Sequence, residues 1–240
     1  LGVAYEKIEV FLRKVIYARM HIPQCMLCYI FDVDDTLIKY ENFDMREWYE
    51  FIAEPVARKM KIPMNFEIWK DMIEGKISRR YTERYGILAE KFWQEVDRRN
   101  LLYRKVMWES GRLKLYEDVK ILKELSGKKI AWSTSSRDCI RYVFSLFNLE
   151  KYFDLIVGKD FENYRYVERV KPDPTFLNII KSAVKCTTCI VIGDDEKDMK
   201  AAKNAGCIAV LITRRLKSSR YADLVIHSLG ELKDLDKKFL

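Results

Sequence analysis

Short unbroken apolar runs, rich in β-branched and aromatic residues, recur along this chain at residues 29–31, 130–134, 153–157, 189–192 and 208–212, with a shorter piece at 224–226. Such runs suit strands buried on both faces of a parallel sheet. Between them, apolar positions recur at helical spacing over 116–125, 137–147, 175–184 and 199–204, the first and last stopping near Gly127 and Gly206. Alternation of this kind implies right-handed crossovers and a doubly wound α/β sheet. From residue 37 to about residue 112 the strand signal vanishes. Helical runs replace it at 45–60, 66–73, 78–85 and 89–107, punctuated by Pro63, Gly75, Gly86 and Gly111. The pattern predicts an α/β core made of residues 1–37 and 112–240, interrupted by an all-helical insert at 38–111. At the front, Glu6, Lys7, Glu9, Arg13 and Lys14 stand among apolar positions, with Pro23 after them. That spacing predicts an amphipathic helical extension within residues 1–24 and argues against a signal peptide.

Composition narrows the class without naming a chemistry. With 49% hydrophobic residues and only 9 Gly and 5 Pro in 240 residues, the chain is globular rather than disordered. No apolar run is long enough to span a bilayer, so a cytoplasmic location without a membrane partner is expected. The formal charge of +8 invites a nucleic-acid reading, but the basic residues are spread among 36 acids with no tail or stripe. A solvated surface is the expected use of that charge, and no nucleic-acid partner is expected.

The candidate chemistry gathers where strands end. Asp32 and Asp34 follow the first apolar run, at the carboxyl edge of the sheet, where open α/β folds place their ligands. One carboxylate there can attack as a nucleophile, and a second two positions on can shuttle a proton. The run at 130–134 ends in Thr134, followed by Ser135 and Ser136. Lys171 precedes Pro172, Asp173 and Pro174, with Asp173 suited to cap a helix and Pro174 to its first position. The run at 189–192 leads into Gly193, Asp194, Asp195, Glu196, Lys197 and Asp198. Asp195 and Asp198 then fall in the first turn of a helix, where the macrodipole also stabilises acids.

Taken in order, these residues resemble the motifs of the haloacid dehalogenase-like hydrolase superfamily. They are Asp-x-Asp-x-Thr from Asp32 to Thr36, Thr134, Lys171, and Gly-Asp-x-x-x-Asp from Gly193 to Asp198, within a resemblance covering residues 28–232. Asp35 stands where that family usually has glycine, and Asp tolerates left-handed backbone angles better than most residues. The resemblance implies a Rossmann-like core with a small helical cap, which the insert at 38–111 would form. It also implies Mg²⁺ and phosphoryl transfer through an aspartyl-phosphate. In that scheme Asp32 is the nucleophile, and Asp34 is first general acid and then general base. Thr134 and Lys171 hold the transferring oxygens. The metal ligands are Asp32, Asp34 through its carbonyl, and Asp194, with Asp198 in support. An acid at Asp34 favours phosphate esters over halides, because a halide leaves without a proton.

The expected function is a Mg²⁺-dependent phosphatase acting on a small phosphorylated metabolite. The alternatives are a sugar phosphomutase of the β-phosphoglucomutase type and a basic binding module without turnover. A serine hydrolase is disfavoured, since His21 and His227 lie beside no nucleophile motif. Ser135 and Arg79 are further candidates for substrate contact. The stretch from Glu74 to Arg80 loosely resembles a β-phosphoglucomutase-like cap loop whose basic residues grip the far end of the substrate. Arg79, Arg80 and Arg84 equally suit the wet face of a helix. Trp48, Tyr49, Phe66, Trp69, Phe92 and Trp93 read as core of the insert. Cys25-x-x-Cys28 and Cys186-x-x-Cys189 each precede a strand at the edge opposite the acids. Buried thiols, a disulfide and a four-thiolate zinc site all remain open for them, and strand parity does not place all four on one face. Cys139 and Cys207 read as core.

Overall fold

The computed structural model of the chain describes residues 27–159 and 164–239. The helix expected within residues 1–24, and Cys25, lie outside the described residues. The chain opens with β1 (Leu27–Phe31) and β2 (Ile38–Tyr40), then runs through α1 (Met45–Ile52), α2 (Glu54–Lys59), α3 (Phe66–Glu74) and α4 (Ala89–Glu109) to β3 (Leu113–Leu115). It continues through β4 (Lys128–Trp132), α5 (Arg137–Leu146), β5 (Leu155–Val157), α6 (Thr175–Val184) and β6 (Thr188–Gly193). The last elements are α7 (Glu196–Asn204), β7 (Ile208–Ile212), β8 (Leu224–Ile226) and α8 (Leu232–Phe239).

Six strands form one parallel sheet in the order β5-β4-β1-β6-β7-β8. The strand order reverses direction at β1, so the crevice at its carboxyl end is where a doubly wound fold binds ligands. All five residues of β1 are buried, which is why it reads as a continuous apolar run rather than an alternating one. Alternation survives as a choice of face. Tyr29, Phe31, Ile190, Ile192 and Val210 enter one hydrophobic cluster, whereas Cys28, Ile30, Val191 and Leu211 enter the other.

Between β2 and β3 the α-helices α1–α4 and a short 3₁₀ turn form the insert. Its two ends pair antiparallel, Ile38 with Leu115 and Tyr40 with Leu113, so the chain leaves and rejoins the core at one place. Neither strand is legible in the sequence, since each is three residues long and buries only its first residue. The single helical run expected at 45–60 is broken at Ala53, with Pro55 in the first turn of α2, where its missing N–H costs nothing. The run at 78–85 is reduced to a 3₁₀ turn at Tyr81–Tyr85, and that at 116–125 to another at Glu117–Lys123. The helix after Lys171 spans Thr175–Val184 as its spacing predicts, with Pro174 at the N-cap rather than the first helical position, and Asp173 Oδ1 accepts the Thr175 N–H at 2.8 Å. Trp69, Phe92 and Trp93 are fully buried in the insert, and the Trp69 ring lies 5.3 Å from Trp48 and 5.5 Å from Trp93.

Of the four cysteines in the two Cys-x-x-Cys pairs, three lie among the described residues, and Cys25 lies outside them. Cys28, Cys189 and Cys186 all pack in the same face cluster. Cys186 lies before β6 begins, where the alternation of a strand does not apply.

Helix α8 is tied to the middle of the sheet by one buried carboxylate. Asp236 accepts the Tyr29 hydroxyl at 2.8 Å and the Ser126 N–H and hydroxyl at 3.2 and 2.9 Å. Replacing Asp236 with Ala strands the Tyr29 hydroxyl inside the core, at a cost of about 1–3 kcal/mol. Urea denaturation of Asp236→Ala checks this, and adding Tyr29→Phe is expected to recover part of the loss.

Candidate active site

The end of β1 delivers the first two acids. The Asp32 N–H donates to the Ile192 carbonyl at 2.8 Å, extending the β1–β6 pairing by one residue and holding Asp32 at the carboxyl edge. Asp35 then takes a left-handed conformation, φ 56°, and the Leu37 and Ile38 N–H groups both donate to the Val33 carbonyl. That turn is the one expected of Asp in place of glycine. Thr36 Oγ1 donates to Asp194 Oδ1 at 3.2 Å, stitching this turn to the end of β6.

The end of β6 delivers the other two. Asp195 caps α7 and accepts the Lys197 N–H, while Asp198 Oδ2 accepts the Asp195 N–H in return. Asp195 is therefore a cap. Gly193 is required for this packing: a Cβ there would sit 2.4 Å from Asp198 Oδ2.

Asp32, Asp194 and Asp198 place ligand oxygens within 4.8 Å of one another, all buried. Lys171 Nζ bridges Asp32 Oδ1 at 2.5 Å and Asp198 Oδ1 at 2.6 Å, and lies 4.6 Å from the centre of the Trp132 ring. Burial pushes Asp32 up to about 8; Lys171 opposes this, and the charges of Asp198 and Asp34 add to it. Burial and the charges of Asp32, Asp198 and Asp35 push Asp194 to about 9. Burial also raises Asp198. For Lys171 burial works downward, but the two carboxylates outweigh it and its ammonium is held charged. Asp194 Oδ2 is buried without a hydrogen-bond partner. The nearest cation to that oxygen is Arg215 Nε at 3.9 Å, and an all-oxygen set with a carboxylate oxygen that accepts no hydrogen bond fits a hard divalent cation.

Asp34 lives under different forces. Its side chain stands apart from the buried acid cluster and is clamped by Arg104 of α4, whose two terminal nitrogens donate to Oδ1 at 2.9 Å and Oδ2 at 2.8 Å. The Tyr40 and Ser135 hydroxyls donate to the same carboxylate at 2.8 and 3.0 Å. Burial alone would raise Asp34, but the Arg104 charge and these hydrogen bonds hold it below the usual carboxylate range. Sequence reasoning missed Arg104 and Tyr40. A signal was present in α4, where Asp97, Asn100 and Arg104 share a buried stripe with Phe92, Val96 and Met107. Polar residues at core positions of a helix are the informative exception.

One cavity of about 250 Å³ takes in Asp32, Asp34, Arg79, Thr134, Ser135, Lys171, Asp194 and Asp198 together. Arg79, left open above as a wet helix face, is only 8% exposed and sits 4.5 Å over the Trp93 ring. Burial pushes its guanidinium down to about 10, against the pull of Asp97 and Glu168. Lys159, also missed, pairs with Asp97 at 2.7 Å in the same wall.

Comparison with known proteins agrees with this geometry. A family model described as haloacid dehalogenase-like hydrolase matches residues 26–206. The pyrophosphatase PpaX of Halalkalibacterium halodurans is 31% identical over 128 residues, 50% of this chain and 57% of that protein. A phosphoglycolate phosphatase of Cereibacter sphaeroides is 33% identical over 104 residues, 42% of this chain and 45% of that one. The chain thus spans about half the length of these curated relatives. Among solved structures, CbbY of Rhodobacter sphaeroides in complex with phosphate superposes with a TM-score of 0.62 at 16% identity, covering 85% of this chain and 95% of that one. A HAD hydrolase of Entamoeba histolytica gives 0.61 at 19% identity, covering 88% and 100%. Those structural likenesses speak for the fold. With four motifs converging in one cavity and a family model that spans well over half of its length, the chain belongs to the haloacid dehalogenase-like hydrolases.

Proposed function

We propose that the chain is a Mg²⁺-dependent phosphatase that hydrolyses a small phosphorylated metabolite through an aspartyl-phosphate on Asp32. The observation that carries this reading is the meeting of Asp32, Asp194, Asp198 and Lys171 in one buried cluster, with a second acid, Asp34, beside it. Asp32, Asp194, Asp198 and the Asp34 carbonyl would hold the metal. When bound, it supplies positive charge against the carboxylates and the phosphoryl oxygens.

The chain's own residues then divide the work. A carboxylate oxygen of Asp32 forms a bond to phosphorus as the ester P–O bond breaks, and the departing oxygen takes a proton from Asp34. Water next attacks the same phosphorus, giving its proton back to Asp34, and the Asp32–phosphorus bond breaks to release phosphate. Thr134 and Lys171 hold the transferring oxygens in both steps. In the resting structure Arg104 keeps Asp34 ionised, the form the second step needs. A substrate anion that competes for Arg104 loosens that hold and favours the acid form the first step needs. The insert supplies Arg104 and Arg79 and, as the proposed cap, joins substrate binding to proton transfer.

Arg79 points to the substrate class. It is a buried cation in the cavity wall with no carboxylate within ion-pair distance among the described residues, Asp97 and Glu168 acting on it only from further off, and a buried charge without a direct partner favours an anionic ligand. Pyrophosphate and phosphoglycolate, for which the two relatives are named, each carry a second anionic group. So does the xylulose-1,5-bisphosphate bound in another CbbY structure. We therefore infer a substrate with a second phosphate or carboxylate, held by Arg79.

A panel of phosphorylated metabolites assayed with Mg²⁺ and with EDTA tests the reading. Phosphate release is expected only with metal, and Arg79→Ala is expected to raise KM for two-anion substrates on the order of 10–100-fold while sparing p-nitrophenyl phosphate. Interconversion of sugar-phosphate isomers without release would make the protein a mutase, and no turnover at all a binding module.

A second prediction concerns pH. Asp32 and Asp194 rise from 3.8 when exposed to about 8 and about 9 in the fold, so the folded state binds protons more tightly than the unfolded chain. Their contribution to stability is present below pH ~4 and is lost as pH rises through 8–9. Thermal melts in EDTA are expected to fall across that window, and the Mg²⁺-induced rise in Tm is expected to grow with pH. An increment flat from pH 6 to 9 would contradict the assignment of these acids as ligands.

A further inference from the structure

We propose that Glu168, on the core segment between β5 and α6, is a positioning residue for Arg79; this rests on the role proposed for Arg79 above and adds what holds that side chain in place. The subsite for the substrate's second anion is then complete only where the insert meets the core. Glu168 Oε1 accepts the Ser78 hydroxyl and, at 3.2 Å, the Arg80 N–H. Ser78 Oγ accepts the same Arg80 N–H at 3.0 Å. One carboxylate oxygen of the core thus closes on the insert at the residues on either side of Arg79.

The grip falls on a single peptide group. Its N–H is that of Arg80, and its carbonyl, that of Arg79, accepts the Trp93 indole N–H at 2.9 Å. A peptide unit is planar, so holding both ends fixes the plane in which the chain leaves Arg79. The Trp93 ring also backs the guanidinium at 4.5 Å. Helix α4 therefore supplies one grip and the core supplies the other. The same loop is tied to the core at its start, where Lys197 Nζ of α7 donates to the Ile73 carbonyl at 2.9 Å. That carbonyl lies in the last turn of α3, where a cation is favoured.

Glu168 has no simpler use. An exposed carboxylate commonly pairs with a basic neighbour, but among the described residues Glu168 makes no ion pair. Arg80 turns its guanidinium to Glu83 at 2.6 Å and Glu90 at 3.2 Å, and Arg169 pairs with Asp173 at 2.8 Å. Nor does Glu168 ride on a loose segment. Val167 beside it is buried in the hydrophobic cluster that holds Trp69 and Trp93, and the Arg169 N–H donates to the Tyr166 carbonyl at 2.8 Å. Three residues further on stands Lys171, so one core segment serves both ends of the proposed substrate. An arginine held in place beforehand loses less freedom when the anion arrives.

The test is a selectivity ratio: kcat/KM for phosphoglycolate, which carries a second anion, over kcat/KM for p-nitrophenyl phosphate, which does not. A variant that only loses folded enzyme lowers both values and leaves the ratio unchanged. Glu168→Ala is expected to lower the ratio on the order of tenfold, through KM for phosphoglycolate. Glu168→Gln removes the charge that also acts on Arg79 from further off but keeps an acceptor oxygen, and is expected to stay within about twofold. On an Arg79→Ala background, Glu168→Ala is expected to change the ratio no further, since its effect runs through Arg79. Where phosphoglycolate is not turned over, its Ki as a competitor of p-nitrophenyl phosphate is read instead. Hydrogen exchange reads the contact without substrate, and the Arg80 amide is expected to exchange about tenfold faster in Glu168→Ala. A ratio lowered by Arg79→Ala but not by Glu168→Ala overturns the proposal and leaves the role of Arg79 standing. A ratio that neither lowers overturns the role of Arg79, and that of Glu168 with it. Equal losses in Glu168→Gln and Glu168→Ala assign the effect to charge and overturn the positioning role, as does unchanged exchange at Arg80.

Discussion

Three carboxylates that share a few ångströms of buried space repel one another, and the rest of the site is arranged around that repulsion. Asp32, Asp194 and Asp198 lie within 4.8 Å of each other, and one ammonium, Lys171, stands between two of them. Lys171, with the half-exposed Arg215 guanidinium 3.9 Å from Asp194 Oδ2, does not neutralise three buried carboxylates. Without further cations the acids retain protons, as their raised pKa values show. In the proposed function a divalent metal would supply the missing charge, and a substrate phosphate could then enter a cavity that would otherwise repel it.

The fold produces this concentration of charge at little conformational cost. Strands β1 and β6 are neighbours, so acids placed at their ends meet without any loop having to reach. Gly193 lets Asp198 of α7 close in from the side. The contrast with Asp34 follows from who its neighbours are. It faces Arg104, Tyr40 and Ser135 rather than other acids, and is held ionised where Asp32 is not. Two aspartates two residues apart thereby acquire different proton affinities, which the proposed roles of nucleophile and proton carrier require.

What was legible in the sequence is what strands dictate. A buried parallel strand must be apolar throughout and must end at the sheet's edge, so Asp32, Thr134 and Asp194 could be placed from their runs alone. Lys171 and Asp198 followed from motif order. The insert was harder to read, because a charged residue on a helix is usually solvated and its sequence context does not say otherwise. Arg104 and Asp97 sit on the apolar stripe of α4, a signal that counting polar residues at core spacing would have caught. Arg79 lies in a short irregular stretch before a 3₁₀ turn, where no periodicity exists to assign a face. Strands β2 and β3 are too short to carry a pattern, although their pairing fixes where the insert rejoins the core.

In the proposed reaction a carboxylate oxygen of Asp32 takes the phosphoryl group. Rapid acid quench during turnover, followed by peptide mass spectrometry, tests this most directly. A phosphoryl group on the peptide containing Asp32, absent from Asp32→Asn, is the result expected. Steady phosphate release with label on Ser135 or Thr134 instead, or undiminished turnover by Asp32→Asn, would contradict it.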